Sequence, residues 1–332
     1  MQKILVIAPS WVGDCMLMQP MLQRLQQRHP GARVDVLAPP WTEKLLRLMP
    51  EVGEVLINPF PHGALQFGQR RSLGVSLRAA RYDQVIVTPN SWKSALPAFF
   101  ARIPLRTGFL GEARYFLLND ARKLDKSVLP YMVERFAYLA EARGDALQRP
   151  VPNPHLQVSA AQRQQALEKL GLTQGRPIAI FCPGAEYGPA KRWPEAHYAE
   201  LAGKLAQRGY AVWLLGSGKD KPVGDEIVRL SNSACRNLCG ATDLGDAVAL
   251  LACADLVVSN DSGLMHLAAA LDRPMVAVFG SSSPQFTPPM SDKAKVLQLD
   301  LPCIPCFKRE CPLGHFNCMK QLTPATVEAA LP

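Results

Sequence analysis

What this sequence lacks narrows it before any motif is read. No stretch reaches the roughly 18 consecutive apolar residues that a membrane-spanning helix needs. The opening KILVIAPS carries no basic segment ahead of an apolar core and a small-residue cleavage site. The expectation is therefore a cytoplasmic protein. Aromatic residues are sparse at 7%, and only 20% of residues are charged against 48% that are hydrophobic. That balance excludes a disordered chain, because there is ample apolar surface to bury. Nucleotide signatures are missing too. There is no GxxxxGK[ST]: the GSGK ending at Lys219 lacks the earlier glycine and continues with Asp220 where Ser or Thr would hold magnesium. No GxGxxG follows the first apolar run, which argues against a dinucleotide-dependent oxidoreductase. No DxD-type aspartate pair offers itself to a metal, so a bound nucleotide would be held by a helix dipole and a lysine.

What is present alternates with a βα rhythm. At 332 residues the chain suits two domains of about 150 residues each. Apolar runs at Ile4–Ala8, Val34–Leu37, Val55–Ile57 and Gln84–Val87 alternate with amphipathic segments beginning near Cys15, Trp41, Gln69 and Lys93. The second half repeats the pattern, with strands expected at Ile178–Cys182, Val212–Leu215 and Met275–Phe279 and another ending at Val257-Val258. Pro150-Val151-Pro152-Asn153-Pro154 cannot be regular structure and reads as a linker, dividing the chain into residues 1–155 and 156–332. The fold class expected is α/β: two doubly wound, Rossmann-like domains with parallel sheets, facing each other across a cleft.

The stretch DLVVSNDSGLMHLAAA organises the second half. Val257 and Val258 end a buried strand, Asn260 and Asp261 turn the chain, and Ser262-Gly263 open a helix through His266. Free N–H groups at that helix start suit an anion, in the space where α/β sheets bind ligands. A plain cap at Ser262 and a packed His266 are the alternative. Two further loops converge on such a site. In Ser10 to Asp14, Gly13 lets a ligand approach the backbone and Asp14 sits at a helix N-terminus, as catalytic carboxylate or as mere cap. In Pro183 to Trp193, Lys191 and Arg192 lie beside the site or form a solvated basic pair. The net charge of +9 fits an acidic partner or simply a basic soluble protein, and the basic run with Arg70, Arg71, Arg78 and Arg81 fits an anionic contact or a solvated helix face. Nine cysteines in such a protein are thiols or metal ligands rather than disulfides. Cys303, Cys306, Cys311 and Cys318, with His315 among them, could hold a structural zinc or pack a loop as free thiols.

SWVGD from Ser10, PGAEYGPAKRWP from Pro183, and SNDSGLMHLAAAL from Ser259 followed by VFGSSSP together resemble glycosyltransferase family 9. The resemblance covers essentially the whole chain, with three motifs in the family's order. It implies the GT-B fold, two Rossmann-like domains whose last helix often crosses back to the first. It also implies inverting, metal-independent transfer of L-glycero-D-manno-heptose from ADP-heptose to the first heptose of heptosyl-Kdo2-lipid A, with no cofactor. The partners it implies are that donor and that lipid acceptor, met at the inner face of the inner membrane, and no nucleic acid. By the family pattern Asp14 is the catalytic base, Lys191 contacts donor phosphate, Ser10 and Gly13 belong to the substrate site, and Asp261, Ser262, Gly263 and His266 line the donor site. Many relatives carry Thr where this chain has Ser262, and the hydroxyl is kept. Transfer to another core sugar, an epimerase of similar fold, or a non-catalytic binder with no use for Asp14 are the competing readings.

Overall fold

The computed structural model describes residues 1–61 and 63–331 and divides into two compact units, Met1–Pro154 and His155–Pro332. The first unit runs β1 (Lys3–Ile7), α1 (Val12–Arg28), β2 (Arg33–Ala38), α2 (Glu43–Leu46), β3 (Val55–Ile57), α3 (Phe67–Leu77), β4 (Gln84–Val87), α4 (Leu96–Phe100), β5 (Leu105–Phe109), β6 (Asp120–Arg122) and α5 (Met132–Tyr138). Its strands form one parallel sheet in the order β3-β2-β1-β4-β5-β6. The second unit runs α6 (Ala160–Lys169), β7 (Ile178–Cys182), α7 (Glu195–Gln207), β8 (Ala211–Leu214), α8 (Lys221–Leu230), β9 (Cys235–Asn237), α9 (Leu244–Leu251), β10 (Leu256–Asn260), α10 (Gly263–Ala270), β11 (Met275–Phe279), β12 (Ala294–Gln298), α11 (Asn317–Lys320) and α12 (Pro324–Ala329). Its sheet, again parallel, is ordered β12-β11-β10-β7-β8-β9. Counting strands within each unit, both orders are 3-2-1-4-5-6, the doubly wound arrangement of a Rossmann-like fold. The winding reverses between β1 and β4 in the first unit and between β7 and β10 in the second. At those two points the loops leaving the strands diverge and open a crevice.

The strands that the sequence reading found are those it could find. β1, β4, β7, β10 and β11 are almost wholly buried, so each reads as a short unbroken apolar run. The strands it overlooked, β5, β6, β9 and β12, carry Arg, Gly, Asp, Lys or Asn, and the last three lie at or next to sheet edges. In β5 the interruption has a steric cause: a Cβ on Gly108 would come within 2.9 Å of the Val87 carbonyl on the neighbouring strand. The helices expected from Trp41 and Lys93 each begin as 3₁₀ turns, Pro40–Thr42 and Trp92–Ala95, before α2 and α4. Pro40 and Pro97 supply no amide for a longer α ladder.

The final helix is built into the second unit's core. α12 packs on α7, and its Val327 belongs to the second unit's core with Phe181, Trp193, Tyr198, Leu201, Met319 and Leu322. Leu322 also offers its carbonyl to the Trp193 indole N–H at 2.6 Å. A buried Leu→Ala cavity costs about 2–5 kcal/mol, so Leu322→Ala should lower the denaturant midpoint of the second unit, followed by the fluorescence of buried Trp193 and Trp213. An unchanged midpoint would remove the C-terminal segment from that core.

Candidate active site

The second unit's crevice is built around Asn260, the last residue of β10. It is fully buried and uses both ends of its amide. Nδ2 donates to the Pro183 carbonyl at 2.6 Å, while Oδ1 accepts from the Trp193 amide at 3.1 Å and from the Tyr198 hydroxyl at 3.0 Å. One side chain thus ties together the two ends of the loop that follows β7. That loop carries Lys191 at the end of the 3₁₀ turn Pro189–Lys191, and Lys191 Nζ donates to Asp261 Oδ2 at 2.5 Å. The pair is mostly removed from water, with the lysine side chain 17% and the aspartate 5% exposed. The ammonium also lies 5.1 Å from the centre of the Tyr187 ring. Arg192, its sequence neighbour, turns instead toward Asp220, at 3.9 Å.

Beyond Asp261 the chain enters α10. Ser262 is its N-cap and accepts the Met265 N–H at 3.4 Å, which leaves the amides of Gly263 and Leu264 at the helix start for a ligand. His266 is buried in the helix's first turns, and burial pushes its pKa down to about 4, opposed by Asp261 and reinforced by Lys191. A neutral imidazole therefore backs the ion pair, as desolvation of a cation dictates. Of the expected residues, Lys191, Asp261, Ser262, Gly263 and His266 thus gather at the β7/β10 switch point.

The loop holding Lys191 rests on the cysteine-rich segment. Tyr187 donates its hydroxyl to the Phe307 carbonyl at 2.8 Å, and the Ala190 amide donates to the Arg309 carbonyl at 3.0 Å. Gly188, at φ 154°, is required there because a Cβ would sit 2.5 Å from the Arg309 carbonyl oxygen. The four thiols and His315 line one small cavity with Ala190 and Ser281. Among the described residues no three His, Cys, Asp or Glu are grouped as a metal ion requires. Cys318 is buried in the core, where burial and then the neighbouring Cys303, Cys306 and Cys311 push its thiol up, while Cys311 Sγ accepts the Phe316 N–H at 3.4 Å.

In the first unit the corresponding loop leaves β1 at the β1/β4 switch point. α1 begins earlier than expected, at Val12, so Gly13 and Asp14 are its second and third residues and the N-cap is Trp11, which makes no side-chain cap. Asp14 is half-buried in this first turn, next to Cys15, whose thiol is pushed far up by burial and then by the Asp14 charge. Ser10 contributes its carbonyl, which accepts the Trp41 indole N–H at 2.9 Å. The basic run divides on inspection. Arg70 is buried, bonded to the carbonyls of Ala64, Leu65 and Lys93 and set 4.1 Å over the Phe60 ring, so it braces a loop rather than meeting an anion. Arg78 is tied to the Phe100 carbonyl. Sequence reasoning missed the Asn260 clamp and the Tyr187 contact. Asn after a β-branched run reads as a turn residue, and nothing local announces partners 62 to 77 positions away.

Comparison with known proteins meets this geometry. A family model described as glycosyltransferase family 9 (heptosyltransferase) matches residues 70–317, a span that holds every site residue of the second unit but not Asp14. The lipopolysaccharide heptosyltransferase 2 proteins of Salmonella typhimurium strain LT2 and Escherichia coli strain K12 are each 51% identical over 334 residues, covering 98% of this chain and 96% of theirs. The solved structure of E. coli ADP-heptose LPS heptosyltransferase II superposes with a TM-score of 0.91 at 48% identity, over 99% of this chain and 97% of that one.

The buried His266 makes stability depend on pH in a stated direction. Above about pH 6.5, the ordinary histidine value, folded and unfolded forms are both neutral there and the contribution is flat. As the pH falls from there to about 4, the unfolded chain takes up a proton that the folded site refuses, so stability declines and then levels off. His266→Gln should lose less stability between pH 7 and 4.5 than the parent in urea melts. Equal losses would contradict a neutral, buried imidazole.

Proposed function

This chain belongs to glycosyltransferase family 9, and from that premise we propose that it transfers L-glycero-D-manno-heptose from ADP-heptose, with inversion and without a metal, to the first heptose of heptosyl-Kdo2-lipid A. It is a glycosyltransferase of lipopolysaccharide biosynthesis with the GT-B pair of Rossmann-like units. The finer reading rests above all on the Lys191–Asp261 pair beside the open N-terminus of α10. A diphosphate leaving group needs positive charge where its own charge grows, and a lysine plus a helix start can supply it without magnesium. Asp261 holds the ammonium in place, and the amides of Gly263 and Leu264 stand at the start of α10. The neutral His266 adds no second cation that Asp261 would have to share.

Inverting transfer is a single displacement. The acceptor hydroxyl attacks the anomeric carbon from the face opposite ADP, a base takes its proton, and the C–O bond to the diphosphate breaks. Asp14 is the base in this reading. It lies in the first turn of α1, where the positive end of the helix dipole suits a negative charge. That suits a carboxylate acting late, once the hydroxyl proton has become acidic. No helix among the described residues is long and apolar enough to cross a membrane; the lipid nature of the acceptor is what would bring the enzyme to the inner face. No cofactor is called for.

Purified protein given ADP-heptose should release ADP only when the acceptor is present. Release or donor conversion without acceptor would support an epimerase or hydrolase instead. Asp14→Asn keeps a side chain of the same shape, so folding should persist while kcat falls about 10²- to 10⁴-fold with donor affinity nearly intact. A variant within a few-fold of the parent would return Asp14 to a structural role. Lys191→Ala removes a charge-assisted contact of about 1.5–3 kcal/mol, expected as a roughly 10- to 150-fold loss in kcat/KM, and parental kinetics would sink the diphosphate contact.

A further inference from the structure

Tryptophan is used in two distinct ways in this chain. Trp193 and Trp213 are core residues, 1% and 5% exposed. The other three, Trp11, Trp41 and Trp92, are 47%, 52% and 38% exposed, and each stands within four or five residues of the carboxyl end of a strand, β1, β2 and β4 respectively. Those strand ends border the first unit's switch point. Exposed indoles are costly to leave in water, and three of them following the carboxyl ends of β1, β2 and β4 call for a ligand rather than a packing explanation.

Two of them are held as fixtures of the Asp14 loop. Trp41 Nε1 donates to the Ser10 carbonyl at 2.9 Å, so the ring is pinned by its polar edge while half its surface stays open. Its backbone is stiffened by Pro39 and Pro40, and the adjacent Thr42 is buried with its hydroxyl donating to the Pro39 carbonyl at 3.0 Å. Trp11 occupies the N-cap of α1, three residues before Asp14. Ser, Thr, Asp or Asn would stabilise that position by about 0.5–2 kcal/mol more than a side chain that cannot cap, yet an indole is there and makes no cap bond. The local helix is weakened to keep an aromatic face beside the proposed base.

We infer that Trp11 and Trp41 form a stacking platform for the acceptor sugar, the pyranose whose hydroxyl is presented to Asp14. The ring face is electron-rich, and the C–H edges of a pyranose carry the complementary partial positive charge over an apolar face. A platform fixed before binding loses little side-chain entropy on contact. This inference rests on the reading of the Asp14 loop as the acceptor side, and it names what holds the sugar there.

The test uses the full-length enzyme, ADP-heptose and an acyl-free acceptor oligosaccharide, so that lipid contacts play no part. Trp41→Ala should raise the acceptor KM about tenfold, with a much smaller change in donor KM and in kcat at saturating acceptor, and Trp41→Phe should recover most of the loss. Trp11→Ser separates structure from binding: serine is a better cap, so the melting temperature should hold or rise while acceptor KM still increases. An acceptor KM within twofold of the parent in both variants overturns the platform. So does an equal rise in donor KM, or a defect that appears only with acylated acceptor in vesicles, which would mean that the indoles meet lipid. Acceptor binding by calorimetry on Asp14→Asn keeps the two ideas apart. Parental turnover there would remove the base, whereas the Trp41 and Trp11 results would still decide the platform on acceptor affinity alone.

Discussion

The amide of Asn260 is the contact on which the second unit's crevice depends. It is a buried polar group whose donor and acceptor both find partners, and those partners belong to the two ends of a loop that would otherwise be free to drift. Leaving any of the three unpaired in a dry interior costs about 1–3 kcal/mol. The loop's position therefore follows from the satisfaction of one side chain. Lys191 inherits that position, and Asp261, one residue beyond Asn260, meets it at 2.5 Å.

The same logic explains how a polar site holds its shape. The Lys191–Asp261 pair is two opposite charges brought out of water together, which is tolerable only because they neutralise each other. His266 beside them is kept neutral by burial. A phosphate arriving at the α10 N-terminus would meet oriented amides and a held ammonium, with little reorganisation required. From below, the backbone carbonyls of Phe307 and Arg309 buttress the loop, so a segment with no regular structure still bears on the site.

The first unit solves a related problem differently. Its α1 begins with an uncapped turn and carries the carboxylate three residues in. Arg114, fully buried after β5, shows how such loops are held: its guanidinium donates to the carbonyls of Phe109, Pro89 and Ser91. Burial lowers its pKa to about 10, still leaving it charged at neutral pH. The backbone carbonyls of Phe109, Pro89 and Ser91 thus have a dedicated donor.

By itself the sequence determined the class of the fold, because strands buried on both faces must be apolar runs and β10 or β7 can be nothing else. It also made the strand-turn-helix of Asn260 to His266 legible, since that is local chemistry: a turn, a hydroxyl cap and a small residue in the first turn. Tertiary structure alone decided the rest. Edge strands such as β12 are half-solvated and leave no periodic mark. The pairing of Lys191 with Asp261 joins positions 70 apart, and the assignment of α12 to the second core depends on which apolar face was left uncovered. Arg70 and Arg71 look alike in the sequence, yet one is buried against carbonyls and the other exposed. What decides each case is desolvation, which depends on every neighbour in space and so cannot be read from neighbours along the chain.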